Sequence, residues 1–193
     1  VTVLGIDPGL ASLGWGVVSS SGGRHSHVAH GVVSTKAGVA QERRLLDIYN
    51  QICGLLDEHN PDQGAMENLF FVKNISSGIP VAEVRGVVQL AFAQRGLALG
   101  QYNPTQIKLA LVGVGQADKR QVQEMVKLLL KLPTIPQPDH AADALAAAVC
   151  HLNQGPSGPS APGEVGKASA PSFEAALAKA LGPKPPRTRT PRS

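Results

Sequence analysis

A chain of 193 residues with 42% hydrophobic content can bury one core of its own and is short for two comparable domains. No stretch approaches the ~20 apolar residues of a membrane span, and no basic-then-apolar leader precedes the first strand, so a membrane role is set aside and a cytoplasmic protein is expected. The net charge of +4 is uneven, because residues 155–193 hold six basic side chains (Lys167, Lys179, Lys184, Arg187, Arg189, Arg192) against Glu164 and Glu174. The surplus belongs to that tail and residues 1–154 balance, so a polyanion-binding face on the core has to come from local clustering.

In chain order, residues 1–7, 14–20 and 27–35 read as three strands joined by short turns containing Gly and Ser, an antiparallel meander. The first has apolar side chains on both faces and should be central. Residues 41–58 place Leu45, Tyr49, Ile52 and Leu56 at helical spacing, an amphipathic helix. "QGAMEN" (63–68) is a short strand, 80–95 a helix, "LALGQYN" (97–103) a strand, and 104–112, 119–132 and 140–152 are helices. Three antiparallel strands followed by alternating helix and strand predict an α/β domain over 1–154, a mixed five-stranded sheet flanked by helices. The tail, 155–193, is rich in Pro, Gly, Ser and Ala, cannot bury enough apolar area to offset its ordering entropy, and is expected to be disordered apart from a short helix around "FEAALAKALG". Cys53 and Cys150 lack a C-x-x-C pairing and read as buried, reduced thiols.

Three acidic residues stand in otherwise apolar segments: Asp7 where the first strand breaks at Pro8-Gly9, Glu67 at the end of "GAME", and Asp143 in "HAADALAAAV". A carboxylate in such surroundings is costly unless paired or bound to a cation, and no Lys or Arg lies within four positions of Asp7 or Asp143. Singly, Asp7 could be a turn residue, the edge of a phosphate-binding loop or a metal ligand, Glu67 a strand-end charge, and Asp143 a first-turn anion. If strands one and four are neighbours, Asp7 and Glu67 meet, while His140 and Asp143, spaced i, i+3, share one helix face. Such a cluster repels itself unless divalent cations neutralise it. Oxygen-rich sites of this kind suit Mg2+ or Mn2+, and two such ions about 4 Å apart serve phosphoryl transfer. Asp139 competes with His140 for the fourth ligand position; its place between Pro138 and a helix reads as an N-cap, which favours His140 as the ligand.

"GIDPG" (5–9), "MENLFFVKN" (66–74), "VGVGQADKRQVQEMV" (112–126) and "PDHAADALAAA" (138–148), in this order and spacing, resemble the RuvC family of Holliday junction resolvases over residues 3–152. The resemblance implies a ribonuclease H-like fold, a homodimer acting on four-way DNA junctions, a divalent metal requirement and partnership with the RuvA–RuvB branch-migration complex. It also implies paired nicks with 5′-phosphate and 3′-hydroxyl ends, serving recombination and repair. Asp7, Glu67 and Asp143 match the family's catalytic acids. His140 falls where some members carry Asp and others His, in a loop one residue longer than in the Asp type.

Two adjacent Phe side chains in an extended segment point in opposite directions, so one of Phe70 and Phe71 is expected to leave the core. Phe70 matches the family's aromatic that stacks on an unpaired base. Asp118 reads as an N-cap, followed by Lys119 and Arg120 in the first helical turn, where cations oppose the helix dipole and a bound phosphate would account for them. By resemblance Lys73 and Lys108 join them on DNA. Arg85 interrupts an apolar helix whose stripe is large enough to serve a dimer interface; its own role stays open. Rival readings are an actin- or sugar-kinase-type ATPase, which needs a second lobe this length does not hold, a junction-binding module without chemistry, and a nuclease acting on RNA–DNA hybrids.

Overall fold

The computed structural model describes residues 1–68 and 75–154; the tail read as disordered and the segment with Phe70, Phe71 and Lys73 lie outside the described residues. Strands β1 (Thr2–Asp7), β2 (Ser12–Ser21) and β3 (Arg24–Ser34) are followed by α1 (Gln41–His59), β4 (Gln63–Glu67), α2 (Ile75–Gln94), β5 (Leu99–Tyr102), α3 (Pro104–Val112), α4 (Lys119–Leu129) and α5 (Asp139–Gln154). The sheet order is β3-β2-β1-β4-β5, antiparallel across β1, β2 and β3 and parallel across β1, β4 and β5. The doubly apolar first strand is therefore central, with β4 beside it.

Strand β3 opens three residues before the sequence reading, at Arg24, and two helix boundaries differ from it by three residues or more. Helix α2 starts at Ile75 and holds Pro80 inside it, although Pro forgoes one backbone hydrogen bond there; Ser76, Ser77 and Gly78 are weak helix formers, and their pattern hides the first turn. Helix α4 stops at Leu129 because Lys131 takes a left-handed conformation, φ 53°. The amides of Lys131 and Leu132 then close on the carbonyls of Leu128 and Lys127 at 3.2 and 2.9 Å, the pairing of a Schellman end. Of the two cysteines Cys150 is buried, its thiol pushed by that burial up to about 12. Cys53 is only half-buried and accepts from the Arg95 guanidinium, so the expectation of burial fails for it.

Strand alternation sends side chains to two different layers. Leu4 and Ile6 of β1 pack with Leu13, Val17, Ile48, Ile52, Met66, Val88 and Phe92 against α1 and α2. Val3 turns the other way, to Ala65, Tyr102, Met125, Val126 and Leu145 under α3, α4 and α5. Gly5 and Asp7 follow Val3, so the carboxylate of Asp7 points to the α5 layer. Helix α5 lies unusually close to the sheet there. A Cβ on Gly14 would sit 1.9 Å from the carbonyl oxygen of His140, and one on Gly5 2.0 Å from that of Ala144. Glycines below and the buried Ala141, Ala142, Ala144, Ala147 and Ala148 above let the two backbones approach, and this sets the first turn of α5 over the end of β1.

Candidate metal-dependent active site

Asp7 is the last residue of β1, paired across β2 with Gly14, the glycine on which His140 rests. Beyond the Ile6–Met66 pair of the β1–β4 ladder the next positions are Asp7 and Glu67, so both acids leave neighbouring parallel strands at the same end and on the same face. Helix α5 supplies the other two groups, His140 from its first turn and Asp143 from the start of its second. His140 Nδ1 lies 2.6 Å from Asp7 Oδ2, and ligand atoms of Asp7, His140 and Asp143 all fall within 4.8 Å of one another. Glu67 stands next to this trio and outside its 4.8 Å radius, so the four residues read as one ligand set are a tight three plus a neighbour.

The cluster carries the mutual repulsion expected of gathered acids. Burial, then the charges of Asp7 and Asp143, raise the Glu67 carboxyl to about 7, while Lys119 and Arg85 pull it back. Burial likewise raises the Asp7 carboxyl from its ordinary value, offset in part by the hydrogen bond from His140. Carboxylate oxygens and one imidazole, short of positive charge and facing a common point, are a donor set that fits Mg2+ or Mn2+. Asp7, His140 and Asp143 could hold a divalent ion directly, with Glu67 beside them at the end of the neighbouring strand.

Lys119 is where the structure departs most from expectation. Its ammonium reaches Asp143 at 3.0 Å and Asp139 at 3.2 Å, so the lysine assigned to phosphate lies inside the acid cluster. Burial works against its charge, yet the bonds to Asp143 and Asp139 outweigh that and raise it. Asp139 is not the cap it was read as: it is the first residue of α5, and its carboxylate takes Lys119 and, at 3.1 Å, Gln123 Nε2. Asp118 does cap α4, in a reciprocal box with Gln121. Arg120 lines a groove with Glu124, Met125 and Leu128 that Lys119 does not line. Lys108 is half-buried on α3. Among the described residues neither Lys108 nor Arg120 makes an ion pair.

Arg85, whose role the sequence left open, is 6% exposed. Its guanidinium donates to the carbonyl oxygen of Glu67, to Asn68 Oδ1 at 2.9 Å and to Gln101 Oε1 at 2.6 Å. Only the interruption of an apolar helix by one arginine marked it in the sequence.

A mixed five-stranded sheet with two antiparallel and two parallel pairings, its acids gathered at the end of the central strands under a closing helix, is the frame of a ribonuclease H-like nuclease. The family model described as crossover junction endodeoxyribonuclease RuvC matches residues 3–151. The protein of that name from Treponema denticola is 49% identical over 153 residues, covering 79% of this chain and 86% of that one, and the one from Chloroflexus aggregans is 50% identical, covering 79% and 93%. The structure of Thermus thermophilus RuvC in complex with a Holliday junction substrate superposes with a TM-score of 0.76 at 34% identity, over 79% of this chain and 93% of that one. The chain belongs to the RuvC family of crossover junction endodeoxyribonucleases.

Proposed function

We propose that this nuclease resolves four-way DNA junctions by two symmetry-related nicks, using divalent metal held by Asp7, Glu67, His140 and Asp143. The observation that carries the reading is the trio of Asp7, His140 and Asp143 with ligand atoms within 4.8 Å, beside a Glu67 carboxyl raised to about 7. When bound, two Mg2+ or Mn2+ ions would lower the pKa of a water and shield the charge of the scissile phosphate. The protein's own residues supply the frame. Asp7 and Glu67 are fixed by adjoining strands, His140 and Asp143 by the first two turns of α5, and the Asp7 carboxylate orients the His140 ring through Nδ1. Lys119, within reach of Asp143 and Asp139, is placed to meet a phosphate oxygen once those carboxylates have other cations as partners. Phe70, Lys73, Lys108 and Arg120 are the proposed contacts to the junction strands outside the centre.

Paired nicks need two centres, and a homodimer provides them. Ile79 and Leu90 are 54% and 53% exposed and stand about three helical turns apart on α2, hence on one face. That pair of exposed apolar side chains supports α2 as the dimer contact. Partnership with a RuvA–RuvB complex, action in the cytoplasm and a nuclease domain ending near residue 154, before the Pro-, Ala- and Gly-rich basic segment, complete the reading. No helix among the described residues is long and apolar enough to cross a membrane.

The test is cleavage of a synthetic mobile four-way junction beside linear duplex and RNA–DNA hybrid, with Mg2+, with Mn2+ and with EDTA. Symmetric, metal-dependent nicks confined to the junction are expected. Cutting of the hybrid alone would overturn the substrate, and junction binding without cutting under either metal would overturn the chemistry.

A further inference from the structure

We infer that Arg85 is the positioning residue for Glu67, clamping the end of β4 from the far side of the sheet so that the Glu67 carboxylate is held toward the metal centre. The inference deepens the proposed function and rests on Glu67 being a ligand in it. Alternation along β4 puts Met66 in the α1/α2 layer and Ala65 in the α5 layer, so the Glu67 side chain points to α5. Arg85 comes from α2, on the opposite side. Its three acceptors are the backbone carbonyl of Glu67, the side chain of the next residue, Asn68, and Gln101 of β5. Glu67 and Asn68 are the last residues described before the 69–74 segment, and Glu67 lies one step past the Ile6–Met66 pair that ends the β1–β4 ladder while still paired with Tyr102 of β5.

Packing alone does not call for an arginine here. Val84, Val88 and Phe92 already bind α2 to the sheet through apolar contact, and a buried charge that meets only neutral acceptors is costly compared with an apolar side chain of similar size. Among the described residues no carboxylate lies within ion-pairing distance of it. Three directional bonds instead converge where the β1–β4 ladder has ended and β5 alone still pairs with the residue that carries the acid. Groups behind a metal ligand of this kind typically change metal affinity or activity 10- to 100-fold when removed.

The experiment uses Arg85→Met and Arg85→Lys in the full chain, with Gln101→Leu and Asn68→Ala as variants that each remove one acceptor and leave the buried charge in place. Three quantities are read: Mn2+ affinity of the DNA-free protein by calorimetry, the Mg2+ concentration for half-maximal junction cleavage, and junction affinity in EDTA. Arg85→Met is expected to weaken Mn2+ binding and raise the Mg2+ requirement about tenfold or more, with junction affinity in EDTA within about twofold of wild type. Arg85→Lys should recover part of the loss, and Gln101→Leu and Asn68→Ala should each show a smaller shift of the same sign. Unchanged metal affinity in Arg85→Met would overturn the inference. If that variant does not fold, unchanged metal affinity in both Gln101→Leu and Asn68→Ala overturns it instead. Loss of junction affinity in EDTA with metal affinity intact would make Arg85 a DNA contact and overturn it too. A wild type that binds Mn2+ but cuts no junction would sink the proposed function while the calorimetry still decides the role of Arg85.

Discussion

The two faces of the sheet are built on opposite rules. Toward α1 and α2 the strands present large aliphatic and aromatic side chains, Leu4, Ile6, Leu13, Met66 and Phe92 among them; toward α5 the same strands present Gly5, Gly14 and Gly16, and the helix answers with alanines. The first face obtains its stability from buried area. The second trades side-chain volume for close approach of backbones, and at its open end that approach brings Asp7, Glu67, His140 and Asp143 together. A polar group also survives deep in this layer: His151 lies between Tyr102 OH at 2.7 Å and Gln63 Oε1 at 2.6 Å, both partners satisfied.

The sharpest way to separate the faces is to damage each in turn. Asp7→Asn removes charge at the site and almost no volume, so junction cleavage should fall by at least about 1000-fold while junction binding in EDTA holds; undiminished cutting would break the link between the acid cluster and the chemistry. Gly14→Ala attacks the close approach itself, since its Cβ would meet the His140 carbonyl at 1.9 Å. It should lower both stability and metal affinity, because α5 has to lift and carries two ligands with it. Ile6→Ala on the other face should cost about 2–5 kcal/mol in denaturant unfolding, with the Mg2+ requirement of the remaining folded protein unaltered.

A pH experiment sharpens the contrast further. The Glu67 carboxyl at about 7 lies above its ordinary value near 4.3, so the metal-free native state binds a proton that the unfolded chain has released. Stability from this group is full below the ordinary value and is lost as pH rises through 7, on the order of 3 kcal/mol across that window. Metal-free Glu67→Gln should therefore be more stable than wild type at pH 8, with the difference shrinking toward pH 4. Saturating Mg2+ should reverse the comparison at pH 8. The smallest effect belongs to Asp139→Asn: Lys119 keeps Asp143 at 3.0 Å, and cleavage should change by a few-fold at most, whereas Lys119→Met should cost far more.

The layered sheet was legible in the sequence because its signals are local. Period-two and period-3.6 patterns placed β1 at the centre and the helices in order, and apolar context alone singled out Asp7, Glu67 and Asp143. What stayed hidden depends on contacts between residues far apart in the chain. Nothing near Asp139 or Asp143 announces that Lys119, on another helix, reaches both, so Asp139 read as a cap. Arg85 likewise showed as an interruption with no visible partner, because its acceptors sit on β4, Asn68 and β5. Short-range pattern reports which face a residue occupies; it does not report what waits on the far side of that face.

One measurement bears most directly on the metal centre: anomalous diffraction at the manganese edge from crystals of Asp7→Asn and wild type, each soaked in Mn2+. Wild type should show manganese between Asp7, Glu67, His140 and Asp143, with the Lys119 ammonium drawn away from Asp143, and the variant should lose most of that signal. Manganese bound elsewhere in the wild type, or bound equally in Asp7→Asn, would contradict the assignment of these four residues as the site of catalysis.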